Sequence, residues 1–160
     1  MNAPAGKFLI EDTWRGRVFG TEWRSAAGGS LDVVEPATGA KITSVGNTML
    51  YDVTTFTVSA GQPVHLVFHN NSTMKLLPHN WVLVKPGTEA AVAAAGLKKG
   101  EAGGYLDTQD ADVIAYSPLA AMGATVEVTF NAPSAPGTYP YICTVPGHYM
   151  KMKGTLVVTQ

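Results

Sequence analysis

The chain has 160 residues, which is enough for one ordinary domain with a sizeable apolar core. Hydrophobic residues make up 46% of it and charged residues 14%, a composition that excludes wholesale disorder. The formal net charge of -1 argues against a basic surface for nucleic acid or anionic lipid. No stretch approaches the roughly 18 apolar residues of a membrane span, and residues 1–10 show no secretion signal.

Residues 1–45 are predicted to form an N-terminal extension rather than a second full domain. They are rich in Gly, Ala, Arg and acidic residues, and turn signals occur at residues 28–29 and 36–39. Only strand-like pieces such as residues 31–34 interrupt this pattern. The main domain is expected to span residues 46–160.

Short strands separated by turns are predicted throughout this main domain. Apolar and polar residues alternate at 64–68 and 125–130, and shorter strand patterns occur at 81–84, 139–143 and 156–158. The Ala-rich residues 88–97, which end near Gly100, predict one helix. Many short strands with one helix indicate an all-β antiparallel sandwich or barrel. His65 and His69 lie opposite the apolar face of their strand and are expected to be exposed.

Cys143 is the only cysteine, so an intramolecular disulfide is excluded. A lone thiol can be an inert core residue, a nucleophile or a metal ligand. Residues 143–152 favour the metal ligand, because a Pro-Gly turn follows Cys143 and the chain returns with His148 and Met152. His79 opens a separate strand and supplies a second imidazole. Two imidazoles, one thiolate and a weak thioether form a ligand set typical of copper in an electron-transfer role.

Three segments make the sequence recognisable. Residues 137–156, GTYPYICTVPGHYMKMKGTL, resemble the copper loop of the cupredoxins (type 1 blue copper proteins), especially azurin and auracyanin. Residues 79–83, HNWVL, resemble the upstream ligand segment of that family, and residues 105–115 resemble the azurin stretch before the late strands. The resemblance covers residues 46–160 in order.

This resemblance implies a Greek-key β-sandwich that holds one copper ion, cycling between Cu(I) and Cu(II), near one end. It implies an electron carrier and not an enzyme. The implied equatorial ligands are His79, Cys143 and His148, and the implied axial ligand is Met152. Three further positions match residues that support the site in the family: Pro78, Asn80 and Thr144. Azurins have glycine in place of Pro78, and proline keeps the backbone carbonyl that can face the metal.

The resemblance also implies how electrons leave. The edge of the His148 ring is expected to reach the surface within an apolar patch for transient redox protein partners. The residues expected in that patch are Leu76, Leu77, Val145, Pro146 and Met150. A monomer in the periplasm or another extracytoplasmic space is implied as well.

Other interpretations are weighed against this one. Residues 23–45 resemble the start of an aldehyde dehydrogenase, but the chain has no room for the domains of that enzyme. A nucleophilic Cys143 activated by His148 leaves Met152 unexplained. A copper storage or delivery protein remains an alternative. Met150 competes with Met152 as the thioether ligand, and the family spacing favours Met152.

Overall fold

The protein is described from a computed structural model, which covers residues 17–19, 23–25 and 38–160. Two compact units are present, Met1–Glu35 and Pro36–Gln160. In the first, strands β1 (Arg17–Phe19) and β2 (Trp23–Ser25) pair antiparallel. The predicted strand-like piece at 31–34 lies outside the described residues. The second unit begins ten residues before the predicted boundary at 46, because residues 38–43 already pair into its sheets.

Eight strands and one helix build the second unit. The helix α1 spans Glu89–Lys99, close to the predicted 88–97. The strands are β3 (Thr38–Thr43), β4 (Thr55–Ser59), β5 (Pro63–His69), β6 (Val82–Val84), β7 (Val113–Tyr116), β8 (Thr125–Asn131), β9 (Gly137–Ile142) and β10 (Lys153–Thr159). Strands β3, β4 and β7 had no counterpart among the predicted strands.

The strands form two sheets, with orders β4-β10-β9-β6-β7 and β3-β5-β8. The all-β sandwich is confirmed, and two of its strand pairs are parallel. Strand β3 runs parallel to β5, and β4 runs parallel to β10. The first parallel pair arises because the chain leaves its sheet after β3, crosses to the other sheet as β4, and returns as β5.

Alternation along β5 places its apolar side chains in the core between the sheets. Val64, Leu66 and Phe68 are fully buried there. His65 and His69 lie on the outer face, where they contact Glu127 at 2.9 Å and Thr125 at 3.0 Å, respectively. Both imidazoles are partly exposed, unlike the buried side chains of a metal-ligand cluster. None of the helices among the described residues is long and apolar enough to cross a membrane.

Candidate metal centre

Two imidazoles and one thiol converge at one end of the second unit. The Nδ1 atoms of His79 and His148 are 3.2 Å apart, and they lie 3.8 and 3.5 Å, respectively, from the Sγ atom of Cys143. His79 and Cys143 are fully buried, and His148 is 7% exposed. Residues separated by up to 69 positions in sequence are thus brought to a single point.

These three atoms have the spacing of metal ligands. A triangle with sides of 3.2, 3.5 and 3.8 Å has its centre about 2.0 Å from each corner, which is close to typical metal–nitrogen and metal–sulfur distances. Three buried groups of this chemistry, aimed at a common centre, fit a copper ion.

Burial sets the protonation of the same groups. It lowers the pKa of His79 from 6.5 to about 4, aided by the neighbouring His148, and it lowers the pKa of His148 as well. Both imidazoles are therefore neutral at pH 7, which is the form that binds metals. Burial raises the pKa of Cys143 to about 12, although hydrogen bonds from the backbone amides of Asn80 and Val145 oppose this rise. A buried thiol with a raised pKa is a poor nucleophile.

The segment before His79 is fixed by backbone and side-chain hydrogen bonds. The amide and carbonyl of His79 pair with those of Ala120 at 3.1 and 2.7 Å. The buried Asn70 side chain donates to the carbonyls of Leu77 and Ala120, at 3.0 and 2.9 Å. One imidazole nitrogen of His79, Nε2, is buried without a hydrogen-bond partner among the described residues.

The loop from Cys143 to Met152 is closed by its own backbone. The amide of Cys143 donates to the carbonyl of Met152 at 3.0 Å, and the amide of Met152 donates to the carbonyl of His148 at 2.8 Å. Gly147 has a φ of 81°, in the left-handed region that favours glycine. The next three residues form a 3₁₀ turn, His148–Met150. This turn directs His148 inward.

Asn80 connects the two ligand-bearing segments. Its side chain hydrogen-bonds to Thr144 at 2.8 and 2.9 Å, and it also donates to the carbonyl of Gly104 at 3.1 Å. Its own carbonyl accepts a 2.6 Å hydrogen bond from the hydroxyl of Tyr51. Burial raises the pKa of Tyr51 well above 10, so the hydroxyl remains a donor.

The remaining predicted positions differ in burial. Met152 is fully buried and packs in the same core cluster as Cys143, whereas Met150 is 61% exposed. Pro78 is partly buried beside His79. In the expected docking patch, Leu76 and Pro146 are exposed and Leu77 is partly buried.

Val145, which is also expected in the docking patch, is 7% exposed, the same fraction as His148. It is buried and belongs to the core cluster that contains Cys143 and Met152. Its backbone amide contacts the thiol of Cys143, which draws the side chain inward.

Sequence reasoning missed three residues that support the site: Tyr51, Asn70 and Gly104. Each acts on a backbone group or on the side chain of a residue at least seven positions away. Such contacts leave no local spacing pattern.

Comparisons with known proteins agree with this geometry. A family model of copper-binding proteins, the plastocyanin/azurin family, matches residues 38–159. Auracyanin-A of Chloroflexus aurantiacus is 55% identical over 120 residues, 74% of this chain and 72% of that protein. Auracyanin-B of the same organism is 37% identical over 145 residues, 87% of this chain and 60% of that protein. The solved structure of auracyanin A, described as a "blue" copper protein from that bacterium, has a TM-score of 0.71 at 53% identity, over 77% of this chain and 99% of that chain.

Proposed function

The chain belongs to the plastocyanin/azurin family of copper-binding proteins, and from this premise we propose that His79, Cys143, His148 and Met152 hold its copper ion. The protein is a blue copper electron carrier and not an enzyme. The single observation that supports the ligand assignment best is the buried triangle formed by two Nδ1 atoms and one Sγ atom. The full burial of Met152 supports it as the axial ligand over the exposed Met150.

When bound, copper supplies one-electron chemistry by cycling between Cu(I) and Cu(II). The chain supplies a rigid set of neutral imidazoles and a thiolate that suits both valences. Backbone amides of Asn80 and Val145 direct hydrogen bonds at the sulfur and help stabilise its negative charge. The surrounding core, which includes the fully buried Trp81, excludes water from the site. Little then has to rearrange when an electron arrives.

Electrons are proposed to enter and leave through His148. It is the only proposed ligand with any solvent exposure, at 7% against 0% for the other three. Weak electron-transfer encounters use small interfaces, so the apolar residues around this ring suffice for transient redox protein partners. A monomeric protein in the periplasm or a similar extracytoplasmic space completes the proposal, and it rests on the family resemblance alone.

The test is an absorption spectrum of the purified protein titrated with Cu(II). An intense blue charge-transfer band that saturates at one copper per chain is expected, and Cys143→Ser abolishes it. The matched pair Met152→Leu and Met150→Leu tests the axial ligand. Met152→Leu is expected to change the spectrum and raise the reduction potential, because an electron-donating thioether is lost. A colourless wild-type protein, or a larger change in Met150→Leu, contradicts the ligand assignment.

A further inference from the structure

Three loops meet at the end of the second unit that holds the site. Two hydrogen bonds connect the loop before β4 to the loop before β6. Asn47 Nδ2 donates to Thr73 Oγ1 at 3.0 Å, and the Thr73 amide donates to Asn47 Oδ1 at 2.8 Å. Between these loops and the one that carries His148 lies a groove of about 380 Å³. The residues lining the groove are Asn47, Thr48, Met49, Leu50, Met74, Leu77 and Lys151.

Large apolar side chains stand exposed around this groove. Leu76 is 93% exposed and Met74 is 52% exposed, next to the partly exposed Leu50. Met150 is exposed beside Lys151 on the third loop. A contiguous set of exposed apolar side chains on the surface of a protein marks an interaction site.

Two unpaired cations flank the same groove. Lys151 lines it, and Lys75 lies between Met74 and Leu76. Elsewhere Lys85 and Lys99 form ion pairs with aspartates, but Lys75 and Lys151 form none among the described residues. Lys75 and Lys151 therefore leave two uncompensated positive charges beside the groove.

Among the described residues, acidic side chains are few near the groove. No carboxylate lines the groove, and residues 70–81 and 143–152 contain no Asp or Glu. The loop before β4 contains Asp52, whose carboxylate accepts hydrogen bonds from the backbone amides of Thr43 and Val53 at 2.6 and 2.8 Å. The groove therefore presents an apolar floor with free positive charge at its edge.

We propose that this lysine-flanked groove docks a redox protein whose contact face has an apolar centre and carboxylates around it. The proposal rests on the proposed electron-transfer function and adds the chemical nature of the partner. Charge complementarity selects an acidic partner and speeds its encounter. A lipid surface fits less well, because lipid recognition uses clusters of about 4–8 basic residues, whereas two lysines lie here.

The test measures electron transfer from reduced cytochrome b5, used as an acidic haem-protein probe, to the copper-loaded protein by stopped flow. The double variant Lys75→Glu, Lys151→Glu is compared with Lys41→Glu, Lys98→Glu, which carries the same change in net charge at exposed sites outside the groove. At low ionic strength the first variant is expected to react about tenfold more slowly, and the second within about twofold of wild type. Added salt should remove most of the difference.

Binding is also followed without electron transfer, by amide chemical-shift changes on adding oxidised cytochrome b5 to the full chain without added metal. Chemical-shift changes confined to residues of the three loops are expected. Because no metal is added, these changes do not depend on which residues bind copper. Equal slowing in both double variants, or shifts elsewhere, overturns the docking proposal even if the blue band forms. A third outcome is that the protein binds anionic phospholipid vesicles, that the groove variant abolishes this binding, and that the cytochrome causes no shifts. That outcome overturns the docking proposal in favour of a lipid surface.

Discussion

The Asn80 side chain holds Thr144 through two hydrogen bonds, one donated by Nδ2 at 2.8 Å and one accepted by Oδ1 at 2.9 Å. Asn80 follows His79 and Thr144 follows Cys143, so this pair fixes the distance between two proposed ligands. The same two bonds recur between Asn47 and Thr73, at 3.0 and 2.8 Å, on exposed loops. The two pairs differ in burial and in what they hold.

Asn80→Ala is expected to lower the free energy of unfolding of the metal-free protein by about 2–3 kcal/mol. The variant removes two buried hydrogen bonds to Thr144 and a third to the Gly104 carbonyl, and it leaves the Thr144 amide without its partner. A buried unsatisfied group costs about 1–3 kcal/mol. The copper-loaded variant should also show a shifted blue band. Urea denaturation and absorption spectra measure both effects.

The control is Asn47→Ala, which removes the same bonds at an exposed site. Water can replace them there, so the loss is expected to stay below about 1 kcal/mol, with the copper spectrum unchanged. Equal losses in the two variants would mean that the Asn80 pair has no special role at the site.

Tyr51→Phe is expected to alter the copper spectrum through the backbone of Asn80. The hydroxyl of Tyr51 donates to the Asn80 carbonyl at 2.6 Å, while the backbone amide of Asn80 contacts the Cys143 sulfur. Loss of the hydroxyl removes a restraint on the backbone of Asn80 and weakens the hydrogen bond from its amide to the sulfur. The reduction potential of the copper site is therefore expected to fall. Spectroelectrochemistry measures the change.

Tyr141→Phe is the matched control, since the hydroxyl of Tyr141 donates to the carbonyl of Val53 at the same 2.6 Å. Both variants should lose about 1–2 kcal/mol of unfolding free energy. Only Tyr51→Phe should change the potential. A shift of the same size in Tyr141→Phe would make the effect one of general destabilisation.

Local patterns in the sequence predicted the elements that depend on local chemistry. The alternation in β5 and β8 and the Ala-rich helix α1 have repeating signals, because each element packs one face against the core, fully or partly buried. Strand β4 is short, with only Val58 fully buried, and offers no such repeat. Strand β3 pairs parallel to β5 at the edge of its sheet. An edge position is a property of the assembled sheet and cannot be read from five or six residues.

The residues of the site also divide into those that local sequence predicted and those that it did not. Cys143, His148 and Met152 are close in sequence, and a short loop constrains them to one place. His79 was found because the residue types complete a known ligand set. The inward position of Val145 was missed, since the turn geometry that draws its amide towards the thiol has no signal in residue type.

Stability of the metal-free protein is expected to fall as the pH drops from about 6.5 to about 4. The pKa of His79 is 6.5 when unperturbed and about 4 in the folded chain. Between these values the unfolded state binds the proton more tightly, so acid favours unfolding. The slope is up to about 1.4 kcal/mol per pH unit for one proton, and His148, whose pKa is lowered too, adds to it.

Urea denaturation at several pH values measures this slope, with His79→Gln and His65→Gln as the comparison. His79→Gln should reduce the slope between pH 6.5 and 4. His65→Gln removes a partly exposed imidazole on the outer face of β5 and should leave the slope near that of wild type. An unchanged slope in His79→Gln would show that other groups cause the acid sensitivity.

Gly96→Ala is expected to destabilise the protein, although alanine is the better helix former by about 1 kcal/mol. Gly96 is buried in α1, and a Cβ atom there would overlap the backbone carbonyl of Tyr105. Tyr105 has a φ of 52°, a conformation with little freedom to adjust. The neighbouring Gly104 accepts a hydrogen bond from Asn80, so displacement of this loop reaches the ligand frame.

Gly39→Ala provides the comparison, because nothing lies within 4 Å of a Cβ atom at Gly39. A loss of about 1–3 kcal/mol is expected for Gly96→Ala from overpacking, with a shifted blue band, against little change in either quantity for Gly39→Ala. The spectrum separates two causes of instability. If Gly96→Ala unfolds more easily but keeps the wild-type copper spectrum, the helix stabilises the fold without positioning Asn80, and only the loop from Gly104 onward acts on the site.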